Sequence, residues 1–165
     1  MKYLNVLMFV IFANIFIGCM GAPEEQEYET SFIQSEYDPY GMPGTSEING
    51  QAFLKTKGGD VKYGAGGTVY LTPVTTISTE FFIKYVLNGI PLKNIDTRSK
   101  KYSKSTTADG NGNFEFTNLA AGEYYIFCNI EWQYYSGKGN KTTGGIAYAK
   151  VKVGEGRIVK AVVTR

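Results

Sequence analysis

The spacing of apolar positions divides the chain into three stretches. Residues 3–17 form an apolar run broken only by Asn5 and Asn14, and residues 20–47 hold no sustained period. From residue 48 onward, short alternating stretches recur between glycine-rich turns. Alternation sends successive side chains to opposite faces, so each stretch reads as a half-buried strand. Residues 48–56 are the first, ended by Lys57-Gly58-Gly59-Asp60. Residues 68–73 are the second, with Val69 and Leu71 on one face and Pro73 stopping the ladder. Residues 102–107 predict a strand joined through the turn 108–113 to Phe114-Glu115-Phe116, a hairpin in which both Phe face the same way. A long strand from Gly122 to Trp132 carries Tyr124, Ile126, Cys128, Ile130 and Trp132 on one face. Residues 134–145 are polar with four glycines and predict an exposed, mobile loop. Residues 146–153 place Ala147, Ala149, Val151 and Val153 inward, and residues 158–164 close the sheet. One stretch, 79–87, spaces Phe81, Phe82, Tyr85 and Val86 about a helical turn apart, predicting a short helix whose aromatics cap one end of the core. About seven short strands with almost no helix predict an all-β fold, an antiparallel Greek-key β-sandwich.

The amino-terminal run is too short to cross a bilayer. Fifteen helical residues reach about 22 Å, against a hydrocarbon core of roughly 30 Å. It reads as a signal peptide over residues 1–18. Phe16-Ile17-Gly18-Cys19 resembles a bacterial lipobox, in which a small residue precedes a cysteine that is acylated before cleavage. The resemblance implies that Cys19 becomes the lipidated first residue and that the protein is anchored in a membrane. Met20 after it implies the outer membrane if the cell is Gram-negative. The competing reading is a secretory signal cut near Gly21-Ala22.

Charge is segregated. Residues 20–47 hold seven acids, no base and three prolines, predicting an acidic flexible tether over 19–46 and a folded domain over 47–165. Residues 48–165 carry a net +8, which the overall +2 conceals. The bases are spread along that stretch, clustering only at Arg98, Lys100, Lys101 and Lys104, so they read as a solvated surface, with a basic face for an acidic partner such as lipid headgroups, anionic polysaccharide or another protein as the alternative; no nucleic-acid partner is expected.

The candidate chemistry is sparse. The chain has no His, which removes the commonest acid/base group and zinc ligand, and Cys128 has no base to activate it. No catalytic residue, metal site or cofactor is expected, and the protein reads as a non-enzyme. Gly64-Ala65-Gly66-Gly67 lacks the GK[ST] ending of a phosphate loop. Asp109, Asn111 and Asn113 are spaced like calcium-loop ligands, but Phe114 stands where the glycine belongs and Ala120 where the closing Glu belongs. The eight carboxylates of 48–165 are scattered singly; an enzymatic reading requires two within about 9 Å in a cleft.

Thr107, Asp109, Gly112, Phe114, Phe116, Leu119, Gly122 and Tyr124 fit the pattern T-x-D-x-x-G-x-F-x-F-x-x-L-x-x-G-x-Y, which resembles a carboxypeptidase regulatory-like domain. That resemblance implies a transthyretin-like sandwich from about residue 47 to 165. It implies structural roles for the motif residues: Asp109 and Gly112 shape a turn, Phe114 and Phe116 fill the core, and Gly122 and Tyr124 open the next core strand. The expected function is a non-enzymatic lipoprotein whose sandwich is a structural or protein-interaction module on the cell envelope. The alternatives are a carbohydrate- or peptidoglycan-binding module and an accessory lipoprotein of a secretion complex. Trp132, Tyr134, Tyr135, Lys138 and Lys141 form the aromatic and basic stretch first expected to contact an envelope protein or glycan.

Overall fold

A computed structural model describes residues 23–165. Cys19 and the signal segment lie outside the described residues. In chain order the elements are β1 (Gln26–Glu27), α1 (Gln34–Tyr37), a 3-10 turn (Asp38–Tyr40), β2 (Ser46–Lys55), β3 (Val61–Tyr63) and β4 (Thr68–Pro73). Then come α2 (Thr76–Phe81), which runs on as a π-helical turn (Phe82–Leu87), β5 (Leu92–Lys93), α3 (Thr97–Lys100) and β6 (Lys104–Thr107). The chain ends with β7 (Asn113–Leu119), β8 (Gly122–Tyr135), β9 (Asn140–Val153) and β10 (Ile158–Val163).

The fold is an all-β sandwich, not closed into a barrel. In one sheet β2 is central: β10 pairs with it on one side, and β7 and then β3 pair along its length. The other sheet has the order β6-β4-β8-β9, with every neighbour antiparallel. The core between them takes Ile48, Ala52 and Leu54 from β2, Val69 and Leu71 from β4, and Phe114, Phe116 and Leu119 from β7. Tyr124, Ile126, Cys128 and Ile130 of β8 and Ala147 and Val153 of β9 fill the opposite wall, as the alternation predicts. Burial pushes the Cys128 thiol pKa up, which keeps it protonated and inert.

The structure departs from the sequence expectation in five places. First, the described part of the predicted tether is a strap packed on the domain. β1 pairs with β5, Tyr37 is only 1% exposed, and its phenol bonds Thr75 at 2.9 Å. The acids that suggested a solvated linker are used locally: Glu29 meets Lys84 at 2.7 Å, Glu27 meets Lys93 at 3.7 Å, and Glu36 accepts the Thr76 N–H and hydroxyl at the start of α2. Second, residues 108–113 do not close a hairpin. β6 pairs with β4 and β7 with β2, so this turn carries the chain from one sheet to the other. Third, β10 pairs with β2 in parallel. Fourth, most of the predicted loop 134–145 is ladder: β8 and β9 pair out to Tyr135 and Asn140, leaving residues 136–139 as the turn. Fifth, the helical aromatics cover the outer face of the second sheet, not an end of the core. Phe82 stacks on Tyr125 at 4.5 Å and meets Tyr148 edge-on at 5.2 Å, while Phe81 meets Phe127 edge-on at 5.6 Å.

α2 is fixed at its start by a capping box. Thr75 Oγ1 accepts the Ser78 N–H, and Ser78 Oγ accepts the Thr75 N–H at 2.8 Å. The same Ser78 hydroxyl donates to the Pro73 carbonyl at 2.6 Å, which ties the helix to the end of β4.

Candidate functional site

β8 is apolar on both faces over its central residues, and this builds the site. Tyr125 and Phe127 point away from the main core and are buried beneath α2 and its π turn. Two residues further along the same face, Asn129 and then Glu131 emerge beyond the helix and are exposed; the Asn129 amide donates to Glu131 Oε1 at 3.0 Å. On β4, Tyr70 stands opposite Phe127 and is 51% exposed. From the π turn, Tyr85 stacks on Phe81 at 5.0 Å and is 39% exposed. These groups line an open recess of about 280 Å³, with Tyr70 and Tyr85 as its aromatic surfaces and Asn129 and Glu131 as its polar ones.

A second recess of about 260 Å³ shares Tyr70, Phe81 and Phe127 with the first. Its further wall is Ile77, Ile95 and Tyr37, with Ser99, Lys100 and Ser103. The two recesses adjoin on the outer face of the second sheet, sharing Tyr70, Phe81 and Phe127, and together make a groove also lined by Ile77 of α2, by Tyr37 and by Ser99 and Lys100 of α3. Each falls just below the range of small-ligand sites, roughly 300–1,000 Å³.

The residues first expected at a contact surface are divided by the β8–β9 ladder. Trp132, Tyr134 and Lys141 share the face that continues the core wall, with Tyr134 opposite Lys141, and Trp132 packs partly against the core. Tyr135 is on the other face, 73% exposed, and Lys138 is in the turn. They therefore do not form one patch.

The motif residues lie where the two sheets connect. Asp109 accepts the N–H groups of Asn111 and Asn113, both at 2.8 Å, and the Asn113 amide at 2.9 Å; these bonds hold its carboxyl below the usual carboxylate range. Gly112 sits at φ +77° where the β7 and β3 ladders meet, and a Cβ there would lie 2.5 Å from the Ala52 carbonyl. Phe114 and Phe116 meet edge-on at 5.8 Å in the core. Gly122 leaves room for the Tyr40 ring, which a Cβ would approach to 2.5 Å, and the buried Tyr124 donates its hydroxyl to the Ala120 carbonyl at 2.8 Å.

A third, shallower recess of about 770 Å³ lies on the exposed face of the first sheet, lined by Asn49, Gln51, Asp109, Asn113, Glu115 and Lys160 among others. The neighbouring Glu47 carboxyl, which lies just outside the stretch 48–165, pushes the Glu115 carboxyl pKa up. The two residues are on neighbouring strands, β2 and β7, and Glu47 does not line the recess. The single aromatic lining this recess, Phe114, is buried. No group of three or more acidic or cysteine side chains placed to hold a metal occurs among the described residues.

Tyr70, Phe81 and Tyr85 are the site residues that the sequence reading missed as a group. The available signal was Tyr125 and Phe127: a strand apolar on both faces must be covered on both, so a second layer had to lie outside the sandwich.

No family model matches the chain, and no curated protein matches it. Among solved structures, it is similar to a candidate carbohydrate binding protein from Pseudomonas aeruginosa. The two are 26% identical with a TM-score of 0.74, and the match covers 82% of this chain and 99% of that one.

Proposed function

We propose that this chain is a non-enzymatic envelope lipoprotein, anchored through Cys19, whose β-sandwich binds carbohydrate in the groove of Tyr70, Phe81, Tyr85, Asn129 and Glu131. The observation that carries the reading is the composition of that groove: two exposed tyrosine rings beside an amide and a carboxylate. A pyranose has apolar C–H faces and hydroxyl edges, so it is held by a flat ring against one and by planar polar groups against the other. The likeness to a candidate carbohydrate binding protein over nearly the whole length of that chain supports the same choice. The carboxypeptidase regulatory-like pattern fits this reading as scaffold, because its residues shape the sheet-to-sheet turn and the core and none of them lines the tyrosine groove. The anchor fits it as well: residue 26 is already paired with the domain, so a lipid on Cys19 would hold the groove close to the membrane surface.

The test is calorimetric titration of the folded domain with soluble oligosaccharides and peptidoglycan glycan strands. Tyr70→Ala and Tyr85→Ala should each weaken binding roughly ten-fold, the scale of losing a central aromatic contact. Tyr134→Ala with Tyr135→Ala should leave it unchanged. The reverse pattern would move the site to the hairpin, and no binding by the wild-type protein would remove the carbohydrate reading.

A further inference from the structure

The two halves of the groove differ in chemistry, and the difference specifies a ligand more narrowly than "carbohydrate". The half beside Asn129 and Glu131 has the polar groups that an unsubstituted sugar needs. The half beyond Phe81 is walled mainly by Ile77, Ile95, Phe81 and Phe127, and its hydroxyls are already engaged: Tyr37 with Thr75, Ser78 with the Pro73 carbonyl, Ser99 with the Asp96 carbonyl and Ser103 with Thr72. A bare sugar ring presents hydroxyls on every edge and would leave them without partners against that wall, at a cost for each. An apolar substituent on the sugar would fill it.

The basic cluster noted in the sequence adds a charge requirement. Arg98 is bound to Asp96 at 2.7 Å and lies 4.5 Å over Phe32; Lys101 lies over the Tyr102 ring, and Lys104 donates to the Asn118 carbonyl at 3.2 Å. Of these four, Lys100 alone has no side-chain partner among the described residues, and it lines the apolar half of the groove. An exposed ammonium beside an apolar recess suits a ligand that carries an acyl group and an anion close together on one sugar unit.

We infer that the groove selects an acidic, N-acylated glycan: the acyl group enters the recess between Ile77 and Phe127, the carboxylate pairs with Lys100, and the neighbouring sugar lies on Tyr70 and Tyr85. The inference rests on the carbohydrate reading of the groove and narrows it.

Three soluble β-1,4-linked probes of similar length separate the two claims by calorimetry: a glucose hexamer, an N-acetylglucosamine hexamer, and a peptide-free strand of alternating N-acetylglucosamine and N-acetylmuramic acid. The expected order of affinity is strand above acetylated hexamer above glucose hexamer, with about ten-fold at each step. Lys100→Gln, at an exposed position, should lower the affinity for the strand to that for the acetylated hexamer and leave the other two unchanged. Ser103→Phe, which narrows the recess from an exposed position, should bring the acetylated hexamer down to the glucose level. Equal affinity for all three probes, or indifference to both substitutions, overturns the inference while the carbohydrate reading stands. Binding of none of them overturns both.

Discussion

Glu80 is the residue through which the strap is latched, and its removal has a calculable consequence. Its side chain is 7% exposed and accepts four hydrogen bonds: the Glu29 and Thr30 N–H groups at 2.9 Å each, the Thr30 hydroxyl at 2.6 Å, and the Lys84 ammonium at 2.8 Å. Burial alone would push this carboxyl up, but the donors outweigh it and hold its pKa at about 2. A depression of that size amounts to at most about 3 kcal/mol of preference for the folded state, shared between Lys84 in the same helical run and the strap donors at Glu29 and Thr30. Glu80→Ala removes it and leaves two strap N–H groups without an acceptor. Amide hydrogen exchange at pH 7 reads the latch directly: in the variant, Glu29 and Thr30 should lose protection by on the order of a hundred-fold, with little change at Ile126 or Val69 in the core. The pH dependence follows from the sign of the shift. The folded-state pKa lies below the unfolded one, so the stabilisation is fully present above roughly pH 4.5 and is lost as pH falls from there toward 2. Once corrected for the intrinsic exchange rate at each pH, strap protection in the wild type at pH 2 should therefore fall close to that of the variant at pH 7. Unchanged protection of Glu29 and Thr30 in Glu80→Ala would refute the latch.

Other consequences are as direct. Phe116→Ala empties a ring site in the main core and should cost about 3–5 kcal/mol in a urea denaturation experiment. Gly112→Ala forces a Cβ into a left-handed backbone position that also abuts the Ala52 carbonyl, so its midpoint should fall well below that of Gly110→Ala, where a Cβ meets nothing within 4 Å. Intact mass of the membrane-extracted protein should show a chain that begins at Cys19 with added acyl mass, lost in Cys19→Ala; an unmodified chain that begins after Gly21 would exclude the anchor.

Much of the sandwich was legible because its strands obey a local rule. The alternation of Tyr124, Ile126, Cys128 and Ile130, and of Ala147 to Val153, specifies a buried face whatever the partner strand is. Which strand pairs with which is not local. The turn 108–113 has the composition of a hairpin, and only the packing of Phe114 and Phe116 beneath β2 sends β7 to the other sheet. The parallel pairing of β10 with β2 is equally invisible in its own residues. The strap misled for a related reason. Seven acids and three prolines read as a solvated linker, but the partners that fix it, Glu80, Lys84 and Thr75, lie some 40 to 55 residues away. The groove inherits both difficulties, since it forms where β4, β8, the π turn and the strap converge. Its tyrosines are single outward positions on separate elements, whereas the hairpin aromatics that drew notice in the sequence are merely adjacent along one strand.

The most direct test of the central claim is a backbone amide NMR titration of the isotopically labelled domain with the glycan strand. The account predicts shift changes concentrated at Tyr70, Phe81, Tyr85, Asn129 and Glu131, extending to Lys100. Changes confined to residues 132–141 of the hairpin, or to Asn49, Gln51 and Glu115 on the opposite sheet, would contradict it.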